Sequence, residues 1–144
     1  MATFTPWDDG FEARLRAGFG LQQVMVQLGA ELVRVAAGEV QIEMPFDVAW
    51  TQQHGFVHAG IITTIVDSAC GFAAYTLLPP DSGVLTVEYK VNFLSPARGE
   101  RFVAVGRVIK PGRTLTVCRG EVTALEGGEE KLVAALQATM MAVI

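Results

Sequence analysis

Residues 58–78, HAGIITTIVDSACGFAAYTLL, decide how this chain folds. The segment is apolar on nearly all sides and too long for a strand, and its Ala and Gly residues let other backbones come close. It therefore predicts a central buried helix that ends before Pro79-Pro80 and is wrapped by the remaining elements. Its length is near that of a membrane span, but His58, Asp67 and several hydroxyl groups interrupt it, which favours a buried helix.

Asp67 is the only formally charged side chain inside this predicted helix. Burying a carboxylate costs several kcal/mol unless it is paired, hydrogen-bonded or protonated. A carboxylate whose pKa is raised by burial is also what a general base or nucleophile needs, so Asp67 is the leading catalytic candidate. The alternative is a core aspartate whose oxygens are satisfied by Thr63, Thr64 or Ser68.

The rest of the chain predicts an α+β domain. Apolar residues recur with helical spacing over residues 11–28, which predicts one or two short amphipathic helices interrupted by Gly18 and Gly20. A hairpin is predicted over residues 32–35 and 40–44. Strict alternation of Leu85, Val87, Tyr89, Val91 and Phe93 with polar residues predicts a half-buried strand.

Three more strands are predicted over residues 101–110, 113–125 and 131–143, because turn signals separate them. Long strands joined by tight turns predict an antiparallel meander, and hence a sheet that curls around the one very apolar helix.

Length and composition restrict the class of protein. A chain of 144 residues predicts a single domain over residues 1–144. An apolar content of 51% is high for a small soluble monomer and predicts a homo-oligomer, in which some apolar surface is covered. The N-terminus has no secretory signal or lipidation motif, so a cytoplasmic location is expected. The net charge of −4 argues against nucleic-acid binding.

The start of the predicted helix is a candidate anion site. Free backbone N–H groups of its first turn point to whatever lies beside Ala59 and Gly60, and small residues there leave room for a ligand carbonyl. An oxyanion at this place would be stabilised by these donors and by the helix dipole, as acyl transfer requires. The alternative is that both residues are small only for packing.

The spacing of His58 and Asp67 predicts that one chain does not complete the site. They are nine residues apart, about two and a half turns of an ideal helix, so their side chains point to opposite sides. If both belong to one active site, they come from two copies of the chain packed about a two-fold axis. The sequence thus predicts two equivalent sites at a dimer interface.

Other site chemistries are not indicated. His54 and His58 have metal-like spacing, but Gly55 argues against a helix there and no third ligand follows, so no metal is expected. Cys70 and Cys118 lie in apolar segments and are expected to be reduced, buried and inert. The sequence has no GxSxG, phosphate-loop or dinucleotide-binding motif.

Basic residues are concentrated in the strands after the helix. Seven of the eleven Lys and Arg residues lie between positions 90 and 119, so this region predicts a surface that can receive phosphates. The alternative for any one of these side chains is simple solvation on the outer face of a strand.

Three motifs together resemble a known family. They are His58-Ala59-Gly60 with Asp67 nine residues later, the segment 92–99 (NFLSPARG), and Gly112-Arg113-Thr114. This pattern is similar to that of hotdog-fold acyl-CoA thioesterases of the PaaI-like type (phenylacetic acid degradation), over about residues 10–144. The sequence departs from it at Ala59, where the family pattern has the first Gly of HGG; the N–H is kept, and the added methyl narrows the acyl entrance.

The resemblance implies a role for each matched residue. Asp67 would be the general base or nucleophile, the Ala59 N–H the oxyanion donor, and Gln52 the side chain that places substrate or water. His58 would bind near the thioester carbonyl, and Thr86 would contact the attacking water. Gly60, Asn92, Arg98 and Arg113 are the candidate substrate-binding residues.

The predicted function is hydrolysis of acyl-CoA or aryl-CoA thioesters by a homo-oligomer, at least a dimer and by expectation a tetramer. No cofactor is expected, because coenzyme A is part of the substrate, and neither nucleic acid nor membrane is expected as a partner. Two alternatives remain open: an acyl-thioester dehydratase of the same fold, and a non-catalytic acyl-CoA-binding protein.

Overall fold

A computed structural model describes residues 3–144. Its helices and strands follow one another in the order α1 (Phe11–Leu21), α2 (Gln23–Leu28), β1 (Glu31–Ala36), β2 (Glu39–Pro45), α3 (Ala59–Tyr75), β3 (Gly83–Phe93), β4 (Arg101–Lys110), β5 (Leu115–Glu126) and β6 (Glu129–Val143). A short 3-10 helix, Val48–Trp50, lies in the loop before α3. The predicted α+β class and each predicted strand are confirmed.

The strands form one antiparallel sheet in the order β1-β2-β4-β5-β6-β3. The predicted meander holds for β4, β5 and β6, but it is wrong for β3, which pairs with β6 at the far edge instead of with β4. The reason is that α3 separates β2 from β3 in the chain and crosses the sheet, so β3 re-enters on the other side. β6 also begins earlier than predicted, because Gly127 and Gly128 form a turn with positive φ and the ladder closes at Glu126–Glu129.

The central helix is confirmed, with bounds 59–75 instead of 58–78. Its buried side is formed by Ile62, Ile65, Val66, Ala69 and Ala73. Its last turn is fixed by the Thr76 hydroxyl, which donates to the Ala73 carbonyl (2.7 Å) and accepts from the Gly38 N–H in the β1–β2 turn (2.8 Å).

A close approach of backbones sets the height of α3 above the sheet. A Cβ atom on Gly106 of β4 would lie 2.4 Å from the backbone carbon of Ala69, closer than real Cβ contacts come. A Cβ on Gly120 of β5 would meet the Val66 side chain at 2.5 Å. Glycine at these strand positions therefore allows the helix to lie directly on β4 and β5.

The two short N-terminal helices are also confirmed, but their interruption lies at Gln22 and not at Gly18 or Gly20. Gln22 is extended (φ −76°, ψ 100°), and its carbonyl accepts from the N–H groups of Met25 and Val26, so it ends α1 and begins α2. Phe19 of α1 packs against Phe72 of α3 with ring centroids 5.7 Å apart. The α1–α2 corner is thereby held near the second half of α3.

β3 departs from the predicted alternation. A bulge between Thr86 and Glu88 interrupts its register with β6, so Thr86 faces α3 together with Tyr89, Val91 and Phe93. Leu85 and Val87, predicted to share the buried face, are 56% and 54% exposed. β3 is thus an exposed, apolar edge strand in the single chain.

The buried thiols agree with the sequence analysis. Cys70 and Cys118 are free and fully buried, and burial raises the pKa of Cys118 to about 12. Burial likewise raises the pKa of Cys70 well above its ordinary value. Among residues 3–144, no helix is both long and apolar enough to cross a membrane.

Candidate functional site

Asp67 lies in the middle of α3, half-buried, and faces β3. Its Oδ1 accepts a hydrogen bond of 2.8 Å from the Thr86 hydroxyl. Burial raises the pKa of the Asp67 carboxyl above its usual value, and the Thr86 hydrogen bond, which favours the charged form, offsets part of this rise. The pair joins a carboxylate to a single hydroxyl donor at the edge of a cleft.

The structural alternative for Asp67 is not observed. Thr63 donates to the Ala59 carbonyl (2.9 Å) and Thr64 to the Gly60 carbonyl (2.8 Å), so both hydroxyls bond within the helix. Ser68 donates to the Gln22 side chain at 3.4 Å. The partner of the carboxylate is the distant Thr86, which the β3 bulge turns towards it.

The helix start offers one free backbone donor. His58 is the N-cap of α3, and its Nδ1 accepts from the Gly60 N–H at 2.8 Å. The Ile61 N–H is bonded to the His58 carbonyl at 2.9 Å. The Ala59 N–H binds no acceptor within residues 3–144, so it is the donor left for a ligand oxygen at this end of the helix.

Gln52 organises the loop before the helix. Its Oε1 accepts from the N–H groups of His54 (2.6 Å) and Phe56 (3.2 Å). Gln52, His58 and Ala59 line one pocket of about 430 Å³. The oxygen of the Gln52 side-chain amide is therefore hydrogen-bonded to the loop, and its NH₂ group is available to donate to a ligand.

Two openings meet at the first turn of α3. A cleft of about 400 Å³ runs between α3 and β3, lined by Ala59, Gly60, Asp67 and Tyr89 among others. The pocket at His58 and Gln52 is on the other side of Ala59 and does not include Asp67. His58 and Asp67 thus line different pockets, and the prediction that their side chains face opposite sides of the helix stays a prediction.

Ala59 and Asp67 border the same cleft but are separated along the helix axis. Eight residues of helix span about 12 Å, which is longer than the combined reach of one hydrogen bond to a thioester carbonyl and one water held by the carboxylate. Axial distance, more than the angle between side chains, keeps the two groups of one chain from acting on one carbonyl.

The remaining predicted residues are dispersed. Asn92 is exposed on β3, on the face away from α3, and Arg98 makes an ion pair of 3.6 Å with Glu126. Arg98 and His54 also line a pocket of about 470 Å³. Arg113 is exposed in the β4–β5 turn, at the opposite end of β4 from Arg98.

Part of the basic region is neutralised by ion pairs. Arg101 binds Glu43 at 3.2 Å, and Arg107 binds Glu39 at 2.9 Å. The outer faces of β2 and β4 are therefore not free phosphate sites at these two arginines. Among residues 3–144, no group of three His, Cys, Asp or Glu residues is arranged to hold a metal ion.

One residue near the carboxylate was missed by the sequence analysis. Gln22, at the α1–α2 corner, reaches Ser68 and lines a small cavity together with Asp67 and Thr86. No local signal in the sequence marks it, because a contact over 46 positions depends on how the N-terminal helices pack.

Comparisons with known proteins show the family and the fold of the chain. The family model described as "Thioesterase superfamily" matches residues 54–131, more than half of the chain. The crystal structure of a thioesterase family protein from Silicibacter pomeroyi is similar with 51% identity and a TM-score of 0.93, covering 94% of this chain and 99% of that one. Human acyl-coenzyme A thioesterase 13 is 33% identical over 95 residues, 64% of this chain and 66% of the relative.

The PaaI protein of the E. coli phenylacetic acid degradation operon shares the fold. Its structure matches with a TM-score of 0.84 and 16% identity, over 93% of this chain and 94% of that one. The hotdog fold implied by the sequence motifs is confirmed by these matches.

Proposed function

Because the chain belongs to the thioesterase superfamily, we propose that it hydrolyses acyl-CoA or aryl-CoA thioesters to the free acid and CoA, at sites shared by two copies of the chain. The observation that carries the proposal is the Asp67 carboxylate: half-buried, bonded by one hydroxyl from Thr86, and open to a cleft. A carboxylate with a raised pKa in such a place is suited to general-base work.

In the proposed step, Asp67 acts as a general base on water. Thr86 occupies Oδ1, so Oδ2 is available to accept a proton from a water molecule. The water oxygen attacks the thioester carbonyl carbon while its proton passes to Asp67. The C–S bond then breaks, the electron pair goes to sulfur, and Asp67 returns the proton to the thiolate.

The Ala59 N–H of a second copy would stabilise the oxyanion that forms in this step. It is the unpaired donor at the N-terminus of a 17-residue helix, where the helix dipole favours negative charge. His58 fixes this turn by capping Gly60, and Gln52 lines the pocket at Ala59. Both are proposed as residues that place the substrate carbonyl.

A second copy is required by distance and favoured by the surface of β3. The roughly 12 Å between Ala59 and Asp67 along one helix is bridged when two α3 helices pack antiparallel. β3 is an exposed edge strand with Leu85 and Val87 more than half exposed, and such an edge is a template for pairing with another strand. Pairing of β3 with β3 of a second copy covers this surface and brings the two half-sites together.

Coenzyme A would enter from the open side of the helix start. The pocket at Gln52 and His58 and the pocket at His54 and Arg98 lie on either side of Phe56, so a basic side chain is present next to the pocket that contains Ala59. Arg98 is paired with Glu126 only at 3.6 Å and with both side chains exposed, so it is proposed to exchange this weak pair for the nucleotide phosphates, with Arg113 of the other copy as a second contact. No separate cofactor is proposed.

Release of CoA thiol tests the function directly. The wild-type protein should release thiol from acyl- or aryl-CoA esters, measured with a chromogenic thiol reagent, and Asp67→Asn should lower kcat by at least about a thousandfold. Because both cysteines are buried with raised pKa values, the native protein adds little background signal. Full turnover by Asp67→Asn would remove Asp67 from the mechanism.

Two further measurements separate the alternatives. A protein that binds CoA esters without releasing thiol would be a non-catalytic binding module, and a 3-hydroxyacyl-CoA that loses water but keeps its thioester, seen by mass spectrometry, would indicate a dehydratase. Either result contradicts the proposed hydrolysis.

A further inference from the structure

A small cavity lies beside the Asp67 carboxylate and continues the groove between α3 and β3 towards the C-terminal end of the helix. It measures about 110 Å³, and its walls include Gln22, Gly71, Phe72, Val84 and Met140. Asp67 and Ser68 border both this cavity and the larger cleft. The carboxylate therefore stands at the junction between a wide opening and a narrow one.

Gly71 is the unexplained residue of this cavity. It lies inside α3, where glycine is less favourable than alanine because it loses more conformational freedom on folding. A Cβ atom built on Gly71 meets no atom within 4 Å, so no contact within residues 3–144 demands its absence. This differs from Gly106, where a neighbouring backbone excludes a Cβ. The space beside Gly71 is thus kept open without a packing reason.

We infer that this cavity holds the acyl group of the substrate and that Gly71 and Gln22 set its length. The inference rests on the proposed function. When the thioester carbonyl lies at Asp67, the CoA portion, which is large and charged, needs the wider part of the site. Only the acyl group is small enough for the narrow part beyond Asp67, where the buried Phe72 and Met140 provide an apolar wall.

The cavity volume selects short aliphatic acyl groups. At about 30 Å³ for each water-sized group, 110 Å³ holds about three or four such groups, which corresponds to a chain of about four or five carbons with the carbonyl. A benzene ring occupies a cavity of about 150 Å³, so an aromatic acyl group does not fit without displacement of a wall.

Gln22 forms part of the cavity wall. Its side chain comes from the α1–α2 corner, is half-buried, and is held by the Ser68 hydroxyl at 3.4 Å. The corner is the one wall contributed by the N-terminal helices rather than by α3, β3 or β6. Shortening this side chain should lengthen the cavity without altering Asp67 or Thr86.

The test compares kcat/KM for acetyl-, butanoyl-, octanoyl- and benzoyl-CoA. The wild type should prefer butanoyl-CoA to octanoyl- and benzoyl-CoA. Gly71→Ala adds one methyl to the cavity and should lower the butanoyl value about tenfold while changing the acetyl value less than about twofold. Gln22→Ala should raise the octanoyl value about tenfold relative to butanoyl.

Gly20→Ala is the matched control. Gly20 is also a helical glycine whose Cβ meets nothing within 4 Å, but it is exposed on α1 and does not line the cavity. It should leave the acyl preference unchanged. Size-exclusion chromatography of all variants should show the wild-type oligomeric state, and Gly71→Ala should melt at or slightly above the wild-type temperature.

The outcomes separate this inference from the function beneath it. A wild type that prefers octanoyl- or benzoyl-CoA, or variants at positions 71 and 22 with the wild-type preference, overturns the acyl cavity and leaves the thioesterase. An equal loss with all four esters in Gly71→Ala, together with a changed oligomeric state, assigns Gly71 to an interface and also overturns it. If Gly71→Ala does not fold, Gln22→Ala decides alone. No thiol release from any ester refutes the proposed function, and this inference with it.

Discussion

Replacing Gly106 by alanine should push α3 away from the sheet. The new Cβ would lie 2.4 Å from the backbone carbon of Ala69 and 2.5 Å from the backbone nitrogen of Cys70. Ordinary contact begins at about 3.4 Å, so the helix has to rise by about 1 Å. The atoms in the way are helix backbone, which cannot turn aside as a flexible side chain can.

The cost follows from the contacts that such a gap weakens. A gap of about 0.5–1 Å forfeits about a quarter to a half of the dispersion energy of each atom pair. For one buried side chain with about 50 contacts of about 0.15 kcal/mol, this loss is about 2–4 kcal/mol. We expect Gly106→Ala to lower the free energy of unfolding by about 3 kcal/mol, at the upper end of the usual cost of overpacking.

Urea unfolding followed by circular dichroism measures this change. With a slope of about 2 kcal/mol per molar urea, the midpoint should fall by about 1.5 M. The control is Gly71→Ala on the same helix, where the new methyl meets no atom and the unfolding free energy should rise by about 0.5–1 kcal/mol.

Activity gives a second measurement on the same protein. Asp67 is two residues from Ala69, so a raised helix lengthens its 2.8 Å hydrogen bond to Thr86, and kcat should fall even in the folded fraction. A Gly106→Ala protein with the wild-type urea midpoint would refute the argument that backbone contact with β4 sets the position of α3.

Three further results are expected. Burial raises the folded-state pKa of Asp67, so the wild type loses stability as pH rises through that pKa. Asp67→Asn lacks this loss, and its urea midpoint relative to that of the wild type should therefore increase from pH 4 to pH 8. A difference between the two midpoints that stays constant with pH contradicts the raised pKa. Thr86→Val removes the donor to the carboxylate and should lower kcat about tenfold with little change in KM, move the acid limb of the pH profile upward, and be rescued by Thr86→Ser. Leu85→Asp on the β3 edge should dissociate the oligomer, as measured by sedimentation velocity. Val48 is 75% exposed in the loop before α3, and Val48→Asp should leave the oligomer intact. Equal behaviour of the two variants would argue against pairing through β3.

Much of the architecture could be read from periodicity. The run of Ile, Val, Ala and Gly after His58 predicted α3 because a segment apolar on all sides must be enclosed. Alternation predicted β3, and turn signals predicted the three strands that follow it. The sheet order was not predictable in this way. Alternation carries no information about which edge a strand joins, and the crossing of α3 moved β3 from the side of β4 to the side of β6.

Some residues of the candidate site could also be predicted from local sequence, and others could not. Asp67 and the free Ala59 N–H were predictable because a charge inside an apolar helix and the first turn of a helix are properties of local sequence. Gly60 was predicted beside Ala59 as a substrate contact, but its N–H is taken by the His58 cap, a contact that depends on the side-chain rotamer.

The sequence by itself determined the α+β class, the buried helix and the carboxylate within it, since these follow from the polarity and spacing of neighbouring residues. Only the tertiary structure decided that Thr86 is the partner of that carboxylate, because one extra residue in β3 reverses which side chains face α3. It also decided that Gln22 and Gly71 enclose a cavity beside Asp67, since contacts between segments far apart in the chain arise from packing and leave no mark in either segment alone.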